Sequence, residues 1–240
     1  MSTSSPRLSA DPYTPRPKSR PGRKPRLHPD MIIDAAFRVS ERHGAQALTI
    51  QAIGEELGAH PTAIYRHFRD RDDLMLALLD ALHAESLDGV PEPSDDWVED
   101  LRDLARRTHA AFLRHPQIAQ FSGVRTARRE HEYRKVDRVI GCLRRAGFDD
   151  VDAARYYRVF SDFILAYAAQ DAALAALAAE TRAADLKAWD VNYRQLSERE
   201  YPNITAVAHA LPSLDDPANF ATALSLMLDA LRARAATVRG

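Results

Sequence analysis

Residues 49 to 71 contain a dense group of side chains that can bind phosphate oxygens and the polar edges of nucleotide bases. Hydroxyl, amide, imidazole and guanidinium groups form such hydrogen bonds, and a guanidinium can bind guanine through two of them. The group, with the proline that lies within it, comprises Thr49, Gln51, His60, Pro61, Thr62, Tyr65, Arg66, His67 and Arg71. These residue types favour the binding of a polyanion over a bond-making reaction.

The sequence contains no recognisable catalytic motif. There is no Gly-rich phosphate loop, no Gly-x-Ser-x-Gly motif and no His-Glu-x-x-His motif, and the 9 histidines include no pair four residues apart. Cys142, the single cysteine, excludes an intrachain disulfide and argues against a cysteine-based metal site. We therefore predict no catalytic residue, no metal and no cofactor, and we keep an enzyme as an alternative that measurable turnover would support.

Three short helices are predicted to position the polar group. Apolar residues recur at helical spacing after Pro29 and again after Thr49, which is a good N-cap residue. Gly58 ends the second helix, and a third is predicted from Pro61 to Phe68. Two short helices joined by a tight turn are typical of a helix-turn-helix unit. Asp70 is then predicted to cap a fourth helix.

The segment from residue 29 to residue 78 resembles the N-terminal domain of the TetR family of transcriptional regulators. The resemblance rests on Phe37, Gly44, the pairs Leu48-Thr49 and Leu57-Gly58, the run Ile64-Tyr65-Arg66-His67-Phe68, and Asp70, Arg71 and Leu74. Arg71 stands where the family usually has lysine, which keeps the charge. His60-Pro61 is less usual at the start of the recognition helix, and this difference bears on which operator sequence is read.

The resemblance implies a role in DNA recognition for each member of the polar group. Tyr65 and His67 match family positions that contact the phosphate backbone, whereas the face of His60, Pro61, Thr62 and Arg66 would read base edges in the major groove. Thr49 and Gln51 at a helix N-terminus, and Arg71 at the next, are expected to contact phosphate. The alternatives are that Tyr65 is a packing residue and that Arg66 and His67 are solvated.

The N-terminal 27 residues are predicted to form a disordered basic arm. They contain seven basic residues and one acidic residue, although the whole chain has a net charge of −1. Prolines prevent a helix around Arg20, Arg23 and Lys24, so this segment is expected to be extended. Because its side chains are cationic, we expect them to contact DNA, in the minor groove or elsewhere. A solvated linker is the alternative interpretation.

Residues 74–240 are predicted to form a larger helical domain that binds a small-molecule effector and dimerises. By resemblance to the family, dimerisation would use helices at about 150–177 and 218–236, and two recognition helices would meet a palindromic double-stranded operator. An effector of unknown identity is expected among the middle helices, one of which is predicted from about Thr126 to Ala146. The candidate residues are His109, Phe112, Gln117, Phe121, Arg128, Tyr133, Phe163, Tyr167, Asp171 and Trp189.

The complete prediction is an all-α protein with an arm (1–27), a three-helix DNA-binding domain (28–73) and a regulatory domain (74–240). No signal peptide or run of 18 apolar residues is evident, so we expect a cytoplasmic protein without membrane contact. The predicted function is a sequence-specific, ligand-responsive repressor. A regulator without a small ligand and an activator are left open, and a plain core residue is the alternative for each pocket aromatic.

Overall fold

The computed structural model describes residues 27–119, 121, 125–211 and 213–239, without the side chains of residues 45, 189, 190 and 239. Over these ranges the chain is helical and contains no strand, which confirms the predicted all-α fold. The helices are α1 (Pro29–His43), α2 (Ile50–Leu57), α3 (Pro61–Ile64), α4 (Arg71–Leu87), α5 (Trp97–Arg114), α6 (Pro116–Ala119), α7 (Glu130–Arg145), α8 (Asp150–Ala176), α9 (Ala179–Arg194), α10 (Pro202–Val207) and α11 (Ala218–Arg239).

Local capping bonds define the helix-turn-helix unit. Thr49 Oγ1 accepts a hydrogen bond from the Ala52 N–H at 3.1 Å, and Asp70 Oδ1 accepts one from the Asp73 N–H at 2.8 Å. Gly58 ends α2 with a φ of 57°, a left-handed conformation that glycine adopts without strain. The predicted caps at these three positions are therefore confirmed.

The recognition helix is shorter than predicted. Regular α-helix ends at Ile64, whereas the sequence predicted a helix to Phe68. The chain continues through a tighter turn in which the His67 N–H bonds to the Ile64 carbonyl at 2.9 Å. Such i to i+3 bonds are common at helix ends and keep the backbone groups satisfied.

The start of α7 also differs from the prediction. We expected a helix from about Thr126, but α7 begins at Glu130. Arg128 has a φ of 55°, which does not fit a right-handed helix. The Glu132 carboxylate accepts hydrogen bonds from the N–H groups of Ala127 and Arg128 and so holds this segment outside the helix.

The described residues form two hydrophobic cores, and α4 extends from the first toward the second. The first core joins α1, α2 and α3 to α4, with Ile32, Ile53, Ile64, Leu74 and Leu78 buried to at least 99%. The second core lies among α5, α7, α8 and α11. Because α4 is continuous, it mechanically connects the helix-turn-helix unit with the larger domain. The domain boundary at residue 73 remains a prediction.

Helices α8 and α11 expose apolar faces. Val159 on α8 and Leu226 on α11 are 50% and 67% exposed, respectively. By length and composition, α8 is the one helix in the described ranges that could cross a membrane, and 22% of its apolar window is buried within the chain. Apolar area of this kind is stabilised when another surface covers it.

Candidate nucleic-acid interface and effector cavity

The polar group around α3 lies on one exposed surface of the helix-turn-helix unit. Ile64 is wholly buried and anchors α3, whereas Tyr65 is 53% exposed and the Arg66 and His67 side chains are exposed beside it. Thr62 is exposed at the start of the helix, and Pro61 is half-buried. Burial of one side of α3 therefore presents the predicted DNA-contacting side chains to solvent.

His60 and Thr62 form hydrogen bonds with each other. His60 Nδ1 lies 2.8 Å from Thr62 Oγ1 and accepts a hydrogen bond from the Thr62 N–H at 3.3 Å. His60 is therefore the N-cap of α3, a role that the sequence prediction did not assign. A cap held by the backbone orients both side chains at the start of the recognition helix.

The predicted phosphate-binding residues have additional structural roles. Thr49 caps α2, Gln51 Nε2 donates to Glu55 at 3.2 Å, and Arg71 Nε donates to the Leu48 carbonyl at 2.8 Å. The Arg71 bond joins the start of α4 to the residue that precedes Thr49, so it fixes the distance between two predicted phosphate contacts. Arg20, Arg23 and Lys24 lie outside the described residues.

Ion pairs position α2 against α1. Glu56 pairs with Arg38 at 2.9 Å and also with Arg42. Hydrogen bonds from the two guanidinium groups lower the pKa of Glu56 below its usual value. Because all three side chains reach solvent, we expect these pairs to orient the helices more than to stabilise them.

Polar contacts also connect the helix-turn-helix unit to the larger domain. Arg125 binds Asp72 through two hydrogen bonds of 2.7 and 2.8 Å, and these bonds lower the pKa of Asp72 and raise that of Arg125. Arg129 pairs with Asp73 at 2.6 Å. Both acids belong to the first turn of α4. The segment before α7 is thus fixed to the end of α4 nearest the recognition helix.

A histidine forms a second connection between the two parts. His115 Nδ1 lies 3.2 Å from Glu41 on α1, and its Nε2 lies 3.2 Å from Glu85 on α4. Its ring also packs on Phe37, with centroids 4.2 Å apart. No local pattern in the sequence indicates these contacts, because the partners are separated by 30 or more positions along the chain.

A cavity lies between α4, α5, α7 and α8. The centre of a water-sized sphere can occupy about 60 Å³ of it, and about 490 Å³ is empty when the open solvent at its mouth is included. Its wall is mainly apolar. The lining residues are His83, Leu104, Ala105, Thr108, Glu132, Lys135, Val136, Val139, Tyr157, Phe160, Ser161, Ile164 and Leu165. A concave, apolar wall with a few polar groups is typical of a small-molecule site.

The most unusual polar group in the cavity is Lys135. Its ammonium is buried, although the side chain as a whole is half-buried, and burial lowers its pKa from 10.5 to about 7. Nζ donates to Ser86 Oγ at 2.9 Å and lies 5.8 Å from the centre of the Phe112 ring. Such a displacement of pKa in a cavity is typical of functional sites.

His83 borders the same cavity from α4. It is 8% exposed, and its Nδ1 has no hydrogen-bond partner in the part of the chain that the structure describes. Burial, with a smaller effect from Lys135, lowers the His83 pKa to about 3, so the ring is neutral at ordinary pH. The neighbouring Asp80 bonds His131 Nδ1 and the Glu132 N–H, each at 2.9 Å.

None of the nine predicted effector-binding residues whose side chains the structure describes is part of this cavity wall. Four of them form a cluster with Phe220 on α11. His109 Nε2 lies 2.7 Å from Asp171 Oδ2, the His109 ring stacks on Phe220 at 3.9 Å, and the Tyr167 ring lies near Phe163 and Phe220. The cluster joins α5, α8 and α11, and the role of these four residues in effector binding stays a prediction.

The other predicted residues are dispersed. Phe112 is wholly buried, Gln117 and Phe121 are half-buried near α6, Arg128 is exposed and Tyr133 is 57% exposed. The Trp189 side chain lies outside the described residues. Their role in effector binding remains a prediction.

Sequence reasoning missed Lys135 and His83, although a signal was present. Lys135 lies four positions before Val139, so it shares the buried face of α7. His83 follows Leu79 by the same interval on α4. A cation on an apolar helical face indicates a buried charge. This pattern was a more specific signal for a binding cavity than the aromatic residues were. No group of three metal-ligating side chains occurs among the residues that the structure describes.

Comparison with known proteins supports the class of protein that the fold defines, a helical regulator with a helix-turn-helix unit. Residues 32–78 match the family described as bacterial regulatory proteins, tetR family, and residues 90–235 match the tetracyclin repressor-like C-terminal domain. Together these matches cover more than half of the chain. The chain belongs to the tetR family of transcriptional regulators.

Individual relatives agree with this assignment. The tetracycline repressor protein class A from transposon 1721 of Escherichia coli is 29% identical, with 89% of this chain and 94% of that protein covered. The transcriptional repressor DrrR1 of Streptomyces coeruleorubidus is 23% identical, with 91% and 82% covered. The chain spans about three fifths of the length of several other curated relatives. ActR of Streptomyces coelicolor in complex with actinorhodin is 26% identical over 87% of this chain and 98% of that one, with a TM-score of 0.74.

Proposed function

We propose that this protein is a homodimeric repressor that binds operator DNA through α3 and releases it when a small molecule enters the regulatory domain. The observation that carries the DNA-binding part is the exposed surface of Thr62, Tyr65, Arg66 and His67 above the buried Ile64. A rigid helix with one buried face can enter a major groove and present such side chains to base edges and phosphates. The cytoplasm, where the DNA lies, is the proposed location.

The homodimer is supported by the exposed apolar faces of α8 and α11. Val159 and Leu226 are large, apolar and at least half exposed, and Ala223 and Ala230 lie one turn from Leu226 on the same face of α11. A second copy of the chain would cover both faces at once. Two copies related by a twofold axis would also present two α3 surfaces to a palindromic operator.

Release of DNA by a ligand is supported by the position of the cavity and by two relatives. His83 on α4 forms part of the cavity wall, and the first turn of the same helix bears Asp72 and Asp73 beside the helix-turn-helix unit. A ligand that favours one position of α4 would favour one position of α3. ActR binds actinorhodin, and the class A relative is a tetracycline repressor. The cavity favours this mechanism over regulation without a small ligand.

The test is selection of bound DNA from a random double-stranded library, followed by titration with salt and nonspecific competitor. We expect an enriched palindromic sequence, and we expect Arg66→Ala to lower affinity by about 10- to 100-fold, the range of one specific base contact. The matched control is Arg106→Ala, an exposed arginine on α5. The absence of any enriched sequence would refute DNA-specific regulation.

Activation is the alternative sign of regulation, since the sign depends on where the operator lies relative to the promoter. A reporter gene placed behind the selected operator distinguishes the two. We expect its expression to rise when the regulator is removed, whereas a fall would make the protein an activator.

A further inference from the structure

We propose that the cavity between α4, α5, α7 and α8 binds a mainly apolar organic acid, whose anionic oxygen contacts Lys135 Nζ and whose second polar atom contacts His83 Nδ1. This inference rests on the proposed function, because it defines the chemical class of the effector. It concerns residues that the sequence prediction did not assign to any site.

Lys135 has no anionic partner among the residues that the structure describes. Its ammonium bonds Ser86 Oγ, which itself donates to the His83 carbonyl at 2.8 Å. No carboxylate of the described residues lies within 4.0 Å of Nζ. Glu132, the acid in the same wall, accepts bonds from two backbone N–H groups instead. A buried ammonium without a counter-ion is unfavourable, so an incoming anion gains an interaction that the protein alone does not supply.

His83 Nδ1 is buried and has no hydrogen-bond partner among the described residues. Buried polar atoms are nearly always hydrogen-bonded, and an exception calls for a partner that is absent. The neutral imidazole can donate or accept at Nδ1, according to its tautomer. Lys135 and His83 line the same cavity from α7 and α4, and we expect one ligand group to engage both.

The rest of the wall defines the ligand body. The apolar side chains are Leu104, Ala105, Val136, Val139, Phe160, Ile164 and Leu165. The hydroxyl of Thr108 donates to the Leu104 carbonyl at 2.6 Å, which commits its proton to the protein. The wall also includes the hydroxyl groups of Tyr157 and Ser161 and the Glu132 carboxylate, which already accepts two backbone hydrogen bonds. An ammonium without a counter-ion in such a wall favours a monoanion, such as a carboxylate or a phenolate on an aromatic or aliphatic body.

The experiment compares an acid with its neutral isostere on the full-length protein. 2-Naphthoate and 2-naphthamide have the same apolar body, and they differ at the group expected to meet Lys135. We would titrate both into the wild type, Lys135→Met and the exposed-lysine control Lys187→Met by calorimetry at pH 6.5. We expect the acid to bind the wild type and the control at least tenfold more tightly than the amide does. In Lys135→Met the acid should lose this advantage, while the amide changes less than twofold.

Three results would overturn the inference: equal affinity of acid and amide for the wild type, an advantage of the acid that survives Lys135→Met, or no binding of either probe. Lys135→Gln repeats the test if the methionine variant does not fold. DNA binding is measured on the same samples with the selected operator. A wild type that binds the operator but does not prefer the acid refutes this inference alone, whereas failure of the wild type to select any operator refutes the proposed function.

Discussion

Replacing Lys135 with methionine should change how the stability of the protein depends on pH. Burial lowers the folded-state pKa of Lys135 to about 7, whereas the unfolded chain retains the ordinary value of 10.5. Between these values the unfolded chain holds a proton that the folded chain has released. The free energy of unfolding of the wild type therefore rises with pH in that window. Below pH 7 both states hold the proton, and the full cost of the buried charge remains.

The expected size follows from the two pKa values. One pKa unit corresponds to 1.36 kcal/mol, and integrating the difference in bound protons from pH 6 to pH 9 gives about 2–3 kcal/mol. Methionine fills a similar volume and does not titrate. The variant should thus be more stable than the wild type at pH 6, and this advantage should shrink by the stated amount at pH 9.

The assay is urea denaturation of both proteins at pH 6, 7, 8 and 9 and constant ionic strength. Titrations that the two proteins share, such as that of the neutral His83, cancel in the difference between them. Lys187→Met, at an exposed lysine, should show no such trend. A difference that stays flat across this range would refute the desolvation of Lys135. A trend of opposite sign would mean that a counter-ion raises its pKa.

Four further predictions concern other parts of the molecule. Tyr65→Ala should lower affinity for every DNA sequence with little change in stability, because the residue is 53% exposed, whereas Tyr133→Ala at 57% exposure should not affect DNA binding. Gly54→Ala should destabilise the protein by about 1–3 kcal/mol in urea denaturation, since its Cβ would lie 2.8 Å from the Ala59 carbonyl oxygen, while Gly141→Ala is the tolerated control. Leu226→Glu should shift the proposed dimer toward monomer in light scattering; an unchanged mass would place the interface elsewhere. Deleting residues 1–24 should weaken DNA binding and flatten its salt dependence, and no change in either would make the arm a passive tail.

The helix-turn-helix unit was predictable because its boundaries depend on short-range bonds. Thr49 and Asp70 cap residues three positions away, and Gly58 supplies a left-handed turn that other residues rarely adopt. The end of α3 was predicted four residues too late, since periodicity does not distinguish a regular helix from a tighter final turn. The predicted start of α7 was also wrong. The hydrogen bonds to Glu132 that keep the preceding segment out of the helix depend on a side-chain conformation, which periodicity does not show.

The cavity was not predictable from residue type. Phe163 and Tyr167 were predicted to bind the effector because they are aromatic. In the structure they pack with His109 and Phe220 outside the cavity wall. Which face of α5 or α8 borders a space depends on the angles at which several amphipathic helices pack. Those angles are set by contacts between residues far apart in the chain.

The sequence by itself determined the all-α fold, the capped helix-turn-helix unit and the residues that its recognition helix exposes, because these follow from helical periodicity and bonds within a few positions. Only the tertiary structure decided that a cavity lies between α4, α5, α7 and α8 and that Lys135 and His83 both line it. The physical reason is that burial of an ionisable group is a property of packing. The same lysine on an exposed helix face would keep its ordinary pKa and would need no partner.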